Sequence, residues 1–217
     1  GSRCRLRRGA RAANLRRSMS HDTWIHRIVR VGVRPLVNTP VTPNHLTTLR
    51  IATGLAATGA FATGTPGGYA WGGGVFVVSM LLDRADGELA RLGGKSSPFG
   101  HKFDLIGDAF CNAIVFAGLG FGLRDGTLGL WGAVLGVIAG AGIAAILMLM
   151  LRMEALEGEG AGEMRGAAGF DLDDAVIVVP LCAWMGWAQP LVVAASIGAP
   201  AFAVFMYVKF RRRLRGN

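Results

Sequence analysis

The chain has 217 residues, of which 52% are hydrophobic and 33 are glycine, and its formal net charge is +9. This composition argues for a polytopic membrane protein; the basic residues flank apolar stretches and no nucleic-acid motif is present, so anionic lipid headgroups are the expected partner and nucleic acid is not. Three cysteines cannot all pair, and Cys111 and Cys182 fall in apolar segments, which indicates packing rather than a disulfide framework.

Gly1 and Ser2 read as a tag remnant. Residues 1–19 are expected to form a basic N-terminal arm: residues 3–17 hold seven arginines, lack the apolar core of a secretory signal, and leave Met19 a candidate native start. Residues 20–41 set Trp24, Ile28 and Leu36 against Arg27, Arg30 and Arg34, which predicts an amphipathic helix lying in the membrane interface. Pro40 and Pro43 break that pattern.

Residues 42–210 are expected to form one all-α domain of six transmembrane helices, followed by a basic tail over 211–217. The apolar stretches run at about 46–63, 69–92, 99–123, 127–151, 170–187 and 191–210, each of roughly the length a bilayer crossing requires. In the fourth, Gly132, Gly136 and Gly140 repeat at a spacing that suits helix packing and would also suit a homodimer face. Trp184 and Trp187 read as interfacial anchors. Six spans put both termini on one side, and 22 of the 23 lysines and arginines then share that side, with Arg124 alone opposite. By the positive-inside rule the termini face the cytoplasm and the chain sits in the inner membrane.

The second and third expected spans carry polar residues on stripes where apolar ones would be ordinary. Asp83, Asp86, Gly87, Ala90 and Arg91 fall at i, i+3, i+4, i+7 and i+8, on one helix face. Gly100, Asp104 and Asp108 repeat every four residues on the next helix. Four carboxylates facing one another repel unless a cation lies between them, and hard oxygen ligands suit Mg²⁺, Mn²⁺ or Ca²⁺.

The pattern Asp-x2-Asp-Gly-x2-Ala-Arg-x8-Gly-x3-Asp-x3-Asp resembles the signature of the CDP-alcohol phosphatidyltransferase family, and it is met without a gap. The six-span layout and the Thr42-Pro43-Asn44 approach to the first span are similar as well. The resemblance implies a transfer of the phosphatidyl group from CDP-diacylglycerol to a small alcohol, with release of CMP. It implies that Asp83, Asp86 and Asp104, helped by Asp108, hold two divalent ions, Mg²⁺ or Mn²⁺. Asp108 would also be the general base on the acceptor hydroxyl. Gly87, Ala90 and Gly100 would make room for the cytidine, Arg91 would pair with phosphate, and Ser97 would contact the nucleotide. Thr42, Pro43, Asn44 and His45 would close the pocket from the first span. Close helix packing for the glycines, and turn or cap chemistry for Ser97 and Thr42, stand beside these readings.

The acceptor is less defined. Asp171, Asp173 and Asp174 stand at the start of the fifth expected span, where a basic cluster would suit a phosphorylated acceptor. They favour an unphosphorylated alcohol if they face the site, and are ordinary helix-start residues if they do not. Asp171 and Asp174 are thus acceptor candidates, with Arg152 beside them. Three other readings are weighed. A UbiA-like prenyltransferase would place paired aspartate motifs on more spans, and a transporter would show polar residues near the midplane of several spans. An enzyme moving a phospho-alcohol from a CDP-alcohol to a lipid hydroxyl would carry the same signature.

Overall fold

The structure, a computed structural model, describes residues 24–157 and 176–214. The described residues form seven α-helices and no strand. They are α1 (Trp24–Val33), α2 (Pro43–Ala62), α3 (Pro66–Gly93), α4 (Pro98–Gly122), α5 (Leu130–Glu157), α6 (Val178–Trp184) and α7 (Ala188–Leu214). Three of them are long and apolar enough to cross a membrane: Pro98–Gly122, Leu130–Met153 and Ala188–Arg211. Helices α2 and α3 match the first two expected spans in position, but threonines, glycines and the charged stripe lower their hydropathy. The basic arm and the first third of the fifth expected span, with Asp171 and Asp174, lie outside the described residues.

The helix starts follow local chemistry. Proline stands at the first position of α2, α3 and α4, where a missing N–H costs nothing. Thr65 and Ser97 cap α3 and α4 by accepting from the backbone N–H of Gly68 and Gly100. Gly94 ends α3 at φ +59°, a left-handed conformation that glycine adopts without the cost a side chain brings.

Helix α2 packs on α3 and α4, α4 on α5, and α5 on α7, while α6 covers α3. Small residues let the backbones meet. A Cβ on Gly54 would lie 2.8 Å from the Cys111 sulfur. Gly132, Gly136 and Gly140 close on Gly120 and Ala113 of α4, so this stripe is spent inside the chain and is not a homodimer face. Cys111 and Cys182 are both free thiols.

Two apolar layers result. Phe61, Phe76, Val115, Leu119 and Val192 form the larger one. Val29, Val33, Leu46 and Leu89 form the smaller one, under α1. Residues 50, 83 and 86 lie between these layers along their helices, and 104 and 108 precede the part of α4 that enters the larger one. Trp71, Trp131, Trp184 and Trp187 are all exposed at the helix ends farthest from the acidic residues.

Helix α1 is fastened rather than merely laid down. Arg30 Nε donates to Glu88 Oε1 at 2.7 Å, and Glu88 is buried. Lys95 Nζ donates to the carbonyls of Thr39 and Val41, which holds the loop before α2 against the end of α3.

Candidate metal and transfer site

Asp83 and Asp86 come from α3, Asp104 and Asp108 from α4. The 3.6-residue period turns each pair toward α2, which lies against both helices. Carboxylate oxygens of Asp83, Asp86 and Asp104 lie within 4.8 Å of one another. Thr47 Oγ1 donates to Asp86 Oδ2 at 2.7 Å, and Asp86 is 2% exposed. Asp86 Oδ1 and Asp104 Oδ1 are buried without a hydrogen-bond partner.

Arg50 of α2 enters this group, and the sequence had shown it only as one more orientation charge. It is 3% exposed. Its Nη1 lies 2.6 Å from Asp83 Oδ1 and 3.7 Å from Asp104 Oδ1. Its Nη2 donates to Asp108 Oδ1 at 2.5 Å, and Asn112 Nδ2 donates to the same oxygen at 2.7 Å. Asp108 is therefore clamped beside the group of three rather than within it. One guanidinium does not balance four carboxylates, and a buried unpaired charge is costly. Three hard ligands, two of them with buried oxygens that lack a hydrogen bond, are what a divalent cation would take up. The residues present fit Mg²⁺ or Mn²⁺.

A cavity of about 20 Å³, the room of one water molecule or one hydroxyl group, opens beside Asp108. Arg50, Ser79, Asp83, Arg84, Asp108 and Asn112 are among its lining residues. Arg84 went unweighed in the sequence, because it lies just off the acidic stripe.

The expected nucleotide residues divide. A Cβ on Gly87 would meet nothing within 4 Å among the described residues, so Gly87 itself faces open space and not a packed helix. A Cβ on Gly100 would lie 3.0 Å from Ser97 Oγ and 3.1 Å from Asn44 Oδ1, which brings the start of α2 to the start of α4. Ala90 is partly buried on the same helix as Gly87. Ser97 caps α4, and His45 Nδ1 accepts from the Thr42 backbone N–H at 3.3 Å beside Pro43. Both thus serve helix starts at the rim of the site. Arg91 is engaged by Glu88 at 2.7 Å, with its side chain half exposed.

The acceptor candidates fare differently. Arg152 is exposed on the last turns of α5, where it lines an apolar groove with Met148 and Tyr207 and not the Asp108 cavity. Asp171 and Asp174 lie outside the described residues. Val176, just after them, does line the cavity.

A family model described as CDP-alcohol phosphatidyltransferase matches residues 40–210, most of the chain and all of this geometry. The chain belongs to the CDP-alcohol phosphatidyltransferase family. Among curated proteins, the bifunctional IPC transferase and DIPP synthase of Rubrobacter xylanophilus is 33% identical over 87 residues, which is 40% of this chain and 19% of that protein. The chain thus matches about a fifth of that relative's length. Among solved structures, phosphatidylinositol phosphate synthase of Mycobacterium tuberculosis with CDP-DAG bound aligns at TM-score 0.62 and 23% identity, over 87% of this chain and 92% of that one. The same enzyme with manganese and citrate aligns at TM-score 0.63 and 21% identity, over 87% and 89%. These two likenesses establish the family's fold for this chain.

Proposed function

We propose that this chain is a six-span membrane transferase that moves the phosphatidyl group of CDP-diacylglycerol onto the hydroxyl of a small alcohol and releases CMP. The observation that carries the reading is the separation within the acidic cluster. Three carboxylates meet, two of them with buried oxygens that lack a hydrogen bond, and a fourth, Asp108, stands beside them.

In this reading Asp83, Asp86 and Asp104 hold two divalent ions, which when bound neutralise the donor diphosphate and stabilise charge in the displacement. Asp108 takes the proton from the acceptor hydroxyl. The hydroxyl oxygen bonds to the phosphorus that carries the lipid, and the bond from that phosphorus to CMP breaks with its electron pair leaving on CMP. Gly87 leaves room for the nucleotide, and Asn44 with Gly100 closes that room from the starts of α2 and α4. Arg91 shares its charge between Glu88 and the solvent-exposed rim. The acidic end faces the cytoplasm of the inner membrane, since nearly all the basic residues lie on that side.

For the acceptor, the aspartates at 171, 173 and 174 favour an unphosphorylated amino alcohol, serine or polyol. A phosphorylated alcohol is the second reading, and Arg84 beside the Asp108 cavity favours it. The deciding experiment supplies labelled CDP-diacylglycerol with serine, inositol, inositol phosphate or glycerol phosphate in detergent micelles, and identifies the lipid product. Conversion of none of them, with Mg²⁺ or Mn²⁺ present, would sink the transfer reaction.

A further inference from the structure

We propose that Arg50 is a positioning residue for the transfer: together with Asn112 it holds Asp108 as an oriented anion and keeps it apart from Asp83, Asp86 and Asp104. The proposal rests on the transferase reading above.

A buried arginine is expensive unless its donors are met. Here the burial is built in from two sides. Ser79 Oγ donates to the Arg50 carbonyl at 3.0 Å, which ties this turn of α2 to α3. Gly54, one turn further on, lets the Cys111 sulfur come close, which ties α2 to α4. The rigid guanidinium fork then hydrogen-bonds Asp108 through Nη2, while Nη1 makes an ion pair with Asp83 and has no hydrogen-bond partner.

The two contacts have different consequences. At Asp108, Arg50 Nη2 and Asn112 Nδ2 both bind Oδ1. A carboxylate pinned through one oxygen presents the other in a set direction, so the acceptor proton is assigned to Oδ2, which neither donor engages. At Asp83, Nη1 occupies an oxygen that a metal ion would otherwise take, so arginine and metal compete there. Arg50 is thus a fixed internal cation that divides four carboxylates into a metal-holding set and a base. An ordinary packing residue would not have this double effect.

The test uses the full chain in detergent, with CMP release for kinetics and Mn²⁺ binding read by electron paramagnetic resonance. In Arg50→Gln, kcat should fall by roughly 100-fold or more, the scale of a misplaced general base, while KM for CDP-diacylglycerol stays within about threefold. Mn²⁺ should bind at least as tightly as in the wild type, because a competing cation is gone. Arg50→Lys should restore part of kcat. Asn112→Ala should lower kcat by roughly 10-fold, the scale of an outer hydrogen-bond partner, with Mn²⁺ affinity unchanged.

Near-normal kcat in Arg50→Gln would overturn the proposal. So would a joint loss of Mn²⁺ binding and activity that lysine does not relieve, because that marks a structural role. If Arg50→Gln fails to give a monodisperse protein, Asn112→Ala and Arg50→Lys decide: full kcat in both overturns it. A wild-type protein that releases no CMP with any alcohol defeats the transferase reading instead. In that case the Mn²⁺ affinity of Arg50→Gln still judges the competition at Asp83, and weaker binding counts against it.

Discussion

The hydroxyl of Thr47 donates to Asp86 Oδ2 across 2.7 Å, while Asp86 Oδ1 beside it has no hydrogen-bond partner. One oxygen is thus held and the other is presented. Thr47 is itself 1% exposed, so water cannot replace its hydroxyl. Thr47→Val keeps the shape and removes the donor. It should weaken Mn²⁺ binding by about 10-fold or more, the usual effect of losing a partner behind a metal ligand. Titration of the Mn²⁺ resonance signal measures this directly, and unchanged affinity would count against Asp86 as a ligand.

The acidic residues should separate by role. Asp83→Ala and Asp104→Ala should lose Mn²⁺ binding and activity together, and EDTA should abolish wild-type activity reversibly. Asp108→Asn should lose activity by roughly 100-fold or more while at least one Mn²⁺ stays bound. Near-normal turnover in Asp108→Asn would remove it as the base.

Glu88 joins Arg30 of α1 to Arg91 of α3, each at 2.7 Å. Its side chain is 4% exposed, but those of the arginines are 42% and 54% exposed, so solvent screens much of each pair. Glu88→Gln should therefore cost about 1–2 kcal/mol, less than a fully buried pair, and lower Tm by a few degrees. Arg30→Ala in the Glu88→Gln background should add little further loss. Additive effects of the two substitutions would show that α1 is held by its apolar face alone.

Orientation is checked from outside the cell. A cysteine at position 125 should react with an impermeant thiol reagent in intact cells, and one at position 94 should not, against a background lacking Cys4, Cys111 and Cys182. Asp125 adjoins Arg124, which donates to the Ala62 carbonyl at 2.8 Å at the end opposite the acidic cluster. The reverse labelling would turn the protein over and place the acidic site outside.

The carboxylate stripes were readable because helical period alone puts residues 83, 86 and 87, or 100, 104 and 108, on one face. Arg50 was not, because charge near a span end looks the same whether it faces lipid headgroups or the core. A signal was nevertheless present. Thr47, Arg50, Gly54, Ala57 and Phe61 are the buried stripe of α2, and an arginine among small and apolar residues at that spacing is out of place on a lipid face. The glycines of α5 were read as helix packing, with a homodimer face beside it, and were legible only in part. A small-residue stripe tells that a helix will approach, not which helix, and here α4 of the same chain fills it. The acceptor stayed open because the aspartates it turns on, Asp171 and Asp174, lie outside the described residues, and spacing does not report which residues they face.

Gly87 offers the sharpest test of the nucleotide reading. Most glycines in the bundle face another helix: a Cβ on Gly136 would lie 2.8 Å from the Gly120 Cα, and one on Gly107 3.3 Å from Ile51 and Thr47. Gly87 differs, since its Cβ would meet nothing within 4 Å although it sits one residue from the buried Asp86. If that space were merely open, a side chain there would be harmless. If it receives the cytidine, a side chain should block the donor and leave the fold intact. Gly87→Val should therefore keep a near-normal Tm, apart from about 1 kcal/mol or less of helix-propensity change, yet raise KM for CDP-diacylglycerol by roughly 10-fold or more. Gly136→Val should do the opposite, losing Tm through a clash with the α4 backbone. Parallel thermal unfolding and CMP-release kinetics on both variants separate the cases. A Gly87→Val protein with unaltered KM would move the nucleotide away from this face of α3.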